Sequence, residues 1–253
     1  MTGTGEQLPY DWHRQVQEDS DAVLVQARAG LDDLVLGCPG WQVRELVGHL
    51  GTVHRFHASH LGRGVDSPPD LPRPTPPADD EELLEWFDAG YRALLVDLSR
   101  TDPDAPAWTL SPYAPRTSAF WRRRMAQETS VHRWDVQSAH DDAVGFDLTL
   151  ADDGIDEMLL VLRPASLAGA ATPGDRTGTV LVRTTDSAAQ WAMRLDGSAL
   201  TPLDPVPASA DAVLAGTASA VLLALWGRVP LAELEIDGDR SLLLAALRDG
   251  PRL

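Results

Sequence analysis

Glu128 and His132 stand four residues apart in the stretch Trp121 to Asp135, whose pattern reads as one helix. At about 100° per residue, Trp121, Met125, Glu128, His132, Asp135 and Ala139 share a narrow sector, with Arg122, Arg123, Arg133 and Trp134 turned elsewhere. That sector is otherwise the apolar one, so a carboxylate and an imidazole are aimed at the core. An ionised carboxylate buried without a partner is strongly unfavourable, so a cation must face it, either a basic side chain or a metal ion. A Glu/His pair at i, i+4 is a natural half of a metal site.

A third ligand is available upstream, in Trp41 to His57. Leu46, Leu50, Val53 and Phe56 define an apolar face, and His49 falls inside it. His54 and His57 sit at the margin of the stripe. His60 lies about 16 Å along the axis from His49, too far to share a mononuclear site. Two readings stand side by side: His49 as a core histidine with Glu128 paired to Arg124 one turn back, or His49, Glu128 and His132 as a metal-binding set.

The elements that must position these residues follow from periodicity and breakers. Four helical segments are expected at roughly 8–29, 41–62, 79–100 and 117–140, forming an antiparallel bundle in which metal ligands project inward from facing helices. The second connection, through Gly64, Pro68, Pro69, Pro72, Pro74, Pro76 and Pro77, is too proline-dense for regular structure and should wrap the bundle surface. Beyond about residue 147 the character changes. A helix at 151–163, strands at 178–185, 189–195 and 210–214, a helix at 219–228, a strand at 232–236 and a closing helix at 241–248 make a smaller α+β module with an antiparallel sheet. The expected division is therefore 1–147 and 148–253. No internal repeat, GxGxxG fingerprint or P-loop is present, so neither dinucleotide nor ATP chemistry is indicated.

Composition narrows the function classes. A formal charge of −17 argues against nucleic acid, and Arg122-Arg123-Arg124 reads as a solvated helix flank. No apolar run approaches the roughly 20 residues of a membrane span, and the first residues lack a signal-peptide layout, which predicts a cytoplasmic protein. Its single cysteine, Cys38, excludes an intramolecular disulfide and precedes a turn at Pro39-Gly40, a structural place rather than a nucleophile's. All 21 basic residues are arginine, the mark of a GC-rich genome.

The segments Trp41…Glu45-Leu46-Val47-Gly48-His49-Leu50 and Glu128-Thr129-Ser130-Val131-His132-Arg133-Trp134-Asp135-Val136 resemble the paired motifs of the mycothiol-dependent maleylpyruvate isomerase family. The resemblance covers nearly the whole chain. It implies a DinB-like metal-binding four-helix bundle followed by a sterol-carrier-like α+β domain, with His49, Glu128 and His132 as ligands of a zinc ion that keeps an open position. It also implies a catalytic Arg228 in contact with substrate, from Leu225-Trp226-Gly227-Arg228 and the following Glu235-Ile236-Asp237-Gly238-Asp239. Mycothiol is the thiol of actinobacteria, a source that the arginine bias fits.

The chemistry expected of such a site is thiol activation. Three protein ligands leave zinc a fourth position, where a thiol loses its proton near neutral pH. The thiolate then adds to an activated alkene and leaves after bond rotation, an isomerase, or displaces a leaving group and stays, an S-transferase. The expected partners are a small-molecule thiol and an electrophile, without nucleic acid or membrane. Asp135, one turn past His132, either accepts a ring N–H from that ligand or forms an ordinary salt bridge. Arg228 is alternatively a helix C-terminal cap. Asp237-Gly238-Asp239 reads as a turn rather than a metal site, and Trp134 as packing between domains or on another helix. Two other classes stay open: a metal-bearing module that binds a thiol or small molecule without turnover, and a hydrolase that activates water on zinc.

Overall fold

The computed structural model describes residues 10–59, 61, 72–169 and 174–247, so His60, Gly64, Pro68 and Pro69 lie outside the described residues. Four helices come first: α1 (Trp12–Ala29), α2 (Val43–Ala58), α3 (Asp80–Arg100) and α4 (Ser118–Ala139). Asp11 caps α1 by accepting from the Arg14 amide, and Asp79 caps α3 by accepting from Glu81 and Glu82. At α2, Gln42 and Glu45 form a reciprocal capping box. Helix α4 packs against α1 and α2, and α3 closes the bundle on their other sides. This arrangement makes α2 and α4 neighbours, which any site shared by His49 and Glu128 requires.

The described part of the proline-rich connection, residues 72–77, does run over α2. Thr52 Oγ1 donates to the Pro74 carbonyl at 3.1 Å, and Gly48 is the opening that admits Pro76. A Cβ on Gly48 would stand 3.1 Å from the proline ring.

The second region is α+β, as expected. Helix α5 (Leu148–Glu157) runs through a π turn (Met158–Leu162) into α6 (Arg163–Ala168). Five strands follow, β1 (Thr177–Thr184), β2 (Gln190–Asp196), β3 (Ala199–Pro202), β4 (Ala212–Gly216) and β5 (Glu235–Gly238), with α7 (Ala218–Leu225) and a 3₁₀ turn (Leu231–Glu233) before β5 and α8 (Arg240–Leu247) after it. Sheet order is β3-β2-β1-β4-β5. The sheet is mostly rather than wholly antiparallel, because the chain leaves edge strand β3 and returns to pair β4 parallel with β1. Strand β3 is too short to show alternation in sequence, and the strand expected at 232–236 begins three residues later, after the 3₁₀ turn. Gly238 has φ of +78 and passes so close to the Asp211 backbone that no side chain fits, and Asp239 then caps α8, so the segment expected as a turn is instead the end of β5, at Asp237 and Gly238, followed directly by the helix cap.

The apolar core is continuous across the two regions. Helix α4 is the reason. Its residues 124–133 are all buried, since the bundle covers one side and α5 the other. The arginine run is accordingly not a solvated flank. Arg122 donates to the Leu98 and Thr101 carbonyls at the end of α3, Arg123 pairs with Asp153 and Asp156 on α5, and Arg124 is 1% exposed. No helix among the described residues is long and apolar enough to cross a membrane.

Candidate metal centre

The three expected ligands converge. Glu128 Oε1 lies 3.3 Å from His49 Nε2 and 3.3 Å from His132 Nε2, and one donor atom of each residue falls within 4.8 Å of the others. The i, i+4 spacing on α4 places Glu128 and His132 on one stripe, and α2 presents His49 across from them. The imidazoles of His49 and His132 meet edge to face at 5.2 Å, and Trp41 backs His49 at 5.0 Å. Glu128 and His132 are buried, while His49 is the partly exposed member.

The carboxylate has a division of labour. Oε1 faces the imidazoles and Oε2 accepts from Arg124 at 2.5 Å, so the pairing with Arg124 and the three-ligand cluster coexist. Arg124 also donates to Glu157, which ties α4 to α5, and its guanidinium lies 5.0 Å from the Trp226 ring. Burial pushes Glu128 up, but Arg124 and the two imidazoles outweigh it and hold the carboxyl well below its usual range. Glu157 goes the other way. Burial raises it beyond what Arg124 and Arg123 recover, and its Oε1 finds no hydrogen-bond partner among the described residues.

His132 is held from both ends. Its Nδ1 lies 2.9 Å from Asp135 Oδ2, so the ring directs Nε2 at Glu128 and His49. Burial disfavours the imidazolium, yet Asp135, Cys38 and Glu128 together hold the ring well above its ordinary range. Without a metal ion, a proton on His132 balances the carboxylates; a divalent cation would displace it. The donor set of two imidazoles and one carboxylate, with a carboxylate behind one imidazole, fits a metal of the zinc type.

His49 and Glu128 line a cavity of about 260 Å³ together with Thr52, Phe56, Arg73 and Trp108. An outer groove of about 700 Å³ shares His49, Thr52 and Arg73 with it. Arg124 also reaches the inner cavity, but its guanidinium is committed to two glutamates. Arg73 pairs with no carboxylate among the described residues and is the cation that the sequence reading overlooked. It sits in the proline-rich stretch, where no periodicity marks a side chain as inward.

Arg228, the residue expected to contact substrate, is engaged by a carboxylate. Helix α7 ends at Leu225, and across Gly227, with φ of +70, the Arg228 amide donates to the Leu223 carbonyl, so Arg228 also belongs to the C-terminal cap of α7. Its guanidinium makes a two-point contact with Asp135, Nε at 2.9 Å and Nη2 at 2.7 Å, and lines neither cavity. Asp135 thus does both things weighed for it, meeting His132 and pairing with an arginine. Cys38 joins the same group: its Sγ lies 3.6 Å from Asp135 and accepts from Arg228 at 3.3 Å. Cys38, His132 and Asp135 also cluster within 4.8 Å, but there the guanidinium already supplies the cation.

Two histidines at the stripe margin are more enclosed than their position suggests. His54 is fully buried, 2.9 Å from Thr129 Oγ1 and stacked 5.8 Å from Phe87. His57 stacks on Trp121 at 4.3 Å and lines the inner cavity. Trp134 is partly buried against the common core.

Comparison with known proteins agrees with this architecture. Residues 13–137 match the profile described as the mycothiol maleylpyruvate isomerase N-terminal domain, and residues 149–245 match the MDMPI C-terminal domain. No curated protein matches the sequence. Among solved structures, the mycothiol-dependent maleylpyruvate isomerase superposes with a TM-score of 0.57, and a histidine-to-alanine mutant of it with 0.59. Each is 13% identical, and each superposition covers 93% of this chain and 96% of the other. At that identity the likeness is one of fold.

Proposed function

Because the chain belongs to the mycothiol maleylpyruvate isomerase family, we propose that it is a zinc-dependent enzyme that uses mycothiol to act on a small electrophile, by isomerisation or by S-transfer. The observation that carries this reading is the convergence of His49, Glu128 and His132 beside a cavity. Zinc held by these three residues would stabilise a bound thiol as its thiolate.

The remaining work falls to the chain's own side chains. Arg124 takes one oxygen of Glu128, which leaves a single oxygen for the metal and keeps the carboxylate ionised. Phe56, Trp108 and Met125 give the cavity an apolar wall that excludes water and strengthens charge interactions inside it. Arg73, at the wall and free of carboxylate partners among the described residues, offers a charge for an anionic electrophile. In isomerisation, sulfur adds to one alkene carbon and the π pair moves onto the conjugated oxygen. The new single bond rotates, and the pair returns as sulfur leaves. Arg73 is placed to compensate that transient oxyanion. The outer groove, which shares His49, Thr52 and Arg73 with the cavity, has room for the body of the thiol. The reading places the enzyme in the cytoplasm, with no nucleic-acid partner.

The test is elemental analysis followed by kinetics. Gently purified protein should carry about one zinc per chain, and turnover of maleylpyruvate should require mycothiol without consuming it. A fall in free thiol with other electrophiles marks the transferase instead. Thiol-independent turnover would favour water activation, and saturable thiol binding without turnover a binding module.

A further inference from the structure

We propose that Arg228 is a positioning residue through which the C-terminal region completes the metal centre: it holds Asp135, and Asp135 holds His132 in the tautomer and orientation that point Nε2 at His49 and Glu128. The inference rests on the proposed metal-dependent reading.

The geometry carries it. Asp135 is 0% exposed and gives both carboxylate oxygens to Arg228, at 2.9 Å from Oδ1 to Nε and 2.7 Å from Oδ2 to Nη2. The same Oδ2 lies 2.9 Å from His132 Nδ1. A carboxylate alone can rotate about its terminal torsion, which is broad and roughly two-fold; a planar guanidinium engaging both oxygens removes that freedom. Arg228 is itself immobilised, since Nη1 donates to the Trp226 carbonyl at 2.9 Å and Nη2 reaches Cys38 Sγ. The loop before α2 closes over the pair at Gly37, where an added Cβ would stand 2.4 Å from Asp135 Oδ1 and 3.3 Å from the Arg228 stem. Three separate pieces of chain therefore converge behind His132: the 35–41 loop, α4, and the turn after α7. Arg228 lines neither cavity.

The experiment compares wild type with Arg228→Ala, Arg228→Lys and Asp135→Asn. Zinc affinity, measured by competition with a chromophoric chelator, should fall about 10- to 100-fold in Arg228→Ala, the usual effect of losing a partner behind a metal-binding histidine. Arg228→Lys should recover only part, because a point charge cannot grip both oxygens. Activity lost in Arg228→Ala should return at saturating zinc. A second readout needs neither metal nor turnover: in ¹⁵N-resolved imidazole spectra, wild-type His132 should show a protected Nδ1–H that Arg228→Ala and Asp135→Asn lose. If Arg228→Ala does not fold, Arg228→Met combined with Asp135→Asn removes both charges and should show the same affinity loss. Unchanged zinc affinity and an unchanged Nδ1–H signal, with only a raised KM, would overturn the proposal in favour of a substrate contact. Loss of the His132 signal in Arg228→Ala, in a protein whose wild type takes no zinc, would uphold the relay and sink the metal-dependent function instead.

Discussion

Arg124→Leu should be the most damaging single change in the bundle, and the structure says by how much. The guanidinium is 1% exposed and lies between Glu128, 2% exposed, and Glu157, 1% exposed. Replacing it leaves two buried carboxylates facing a hydrocarbon. Removing one partner of a buried ion pair costs about 3–5 kcal/mol, a large part of a typical stability of roughly 5–15 kcal/mol. For a chain of this size that corresponds to a fall in Tm of about 6–20 °C. The two carboxylates respond differently. Glu128 keeps its imidazoles, whereas Glu157 keeps no direct partner for either oxygen within hydrogen-bonding reach among the described residues, so adding Glu157→Gln should restore a substantial share of the loss. Glu157 is already raised by burial. A carboxyl raised in the folded state binds its proton more readily folded than unfolded, so stability is regained as pH falls through the folded pKa. The deficit of Arg124→Leu relative to wild type should therefore shrink between neutral pH and about pH 5. Calorimetry of wild type, Arg124→Leu and the Arg124→Leu/Glu157→Gln double variant at both pH values, with and without zinc, measures all of this. A loss below about 1 kcal/mol, or one that Glu157→Gln leaves unchanged, would refute the account of Arg124 as the cation that makes both burials tolerable.

Three further outcomes follow from the same geometry. Glu128→Gln keeps shape but removes the charge facing both imidazoles, so zinc content should drop while the far-ultraviolet circular dichroism stays helical; full zinc occupancy would return Glu128 to a packing role. Arg73→Ala should raise KM for an anionic electrophile about 10-fold or more with zinc content unchanged, the scale of one charge-assisted contact, and equal KM values would remove it from the site. His54 titrates with its pKa pushed down to about 3, chiefly by burial. The unfolded ring takes its proton first, so the stability this neutral histidine contributes is complete above about pH 6.5 and is lost toward pH 3, at about 1.4 kcal/mol per pH unit. His54→Leu should flatten that part of the stability profile measured by urea denaturation, and an unaltered slope would contradict the assignment.

The helices were legible because their signals are local. Proline-rich breaks and apolar periodicity bound the four bundle helices to within a few residues. The same periodicity put Glu128 and His132 on one stripe and His49 on the inner face of α2. It failed where an element is covered from more than one side. On α4, Arg124, Gln127, Ser130 and Arg133 look like a polar face, yet each is buried against α5, Asp19 or the 144–145 segment. His54 was misjudged for a related reason: α2 lies between α3 and α4 and buries more than one stripe.

By itself, then, the sequence determined the α+β class, the helical register and the residue types able to ligate a metal, since all three depend on neighbours within a turn or two. Tertiary structure alone decided what those residues face. Arg124 meets Glu157 across 33 positions, Arg228 meets Asp135 across 93, and Arg228 reaches Cys38 across 190. No periodicity encodes such pairs, because each exists only after separate elements have packed and left a buried charge that just one distant side chain can reach. Arg228 shows the difference most plainly: its sequence position allowed a substrate contact or a helix cap, and the fold adds a contact that no spacing announces, with the carboxylate behind His132.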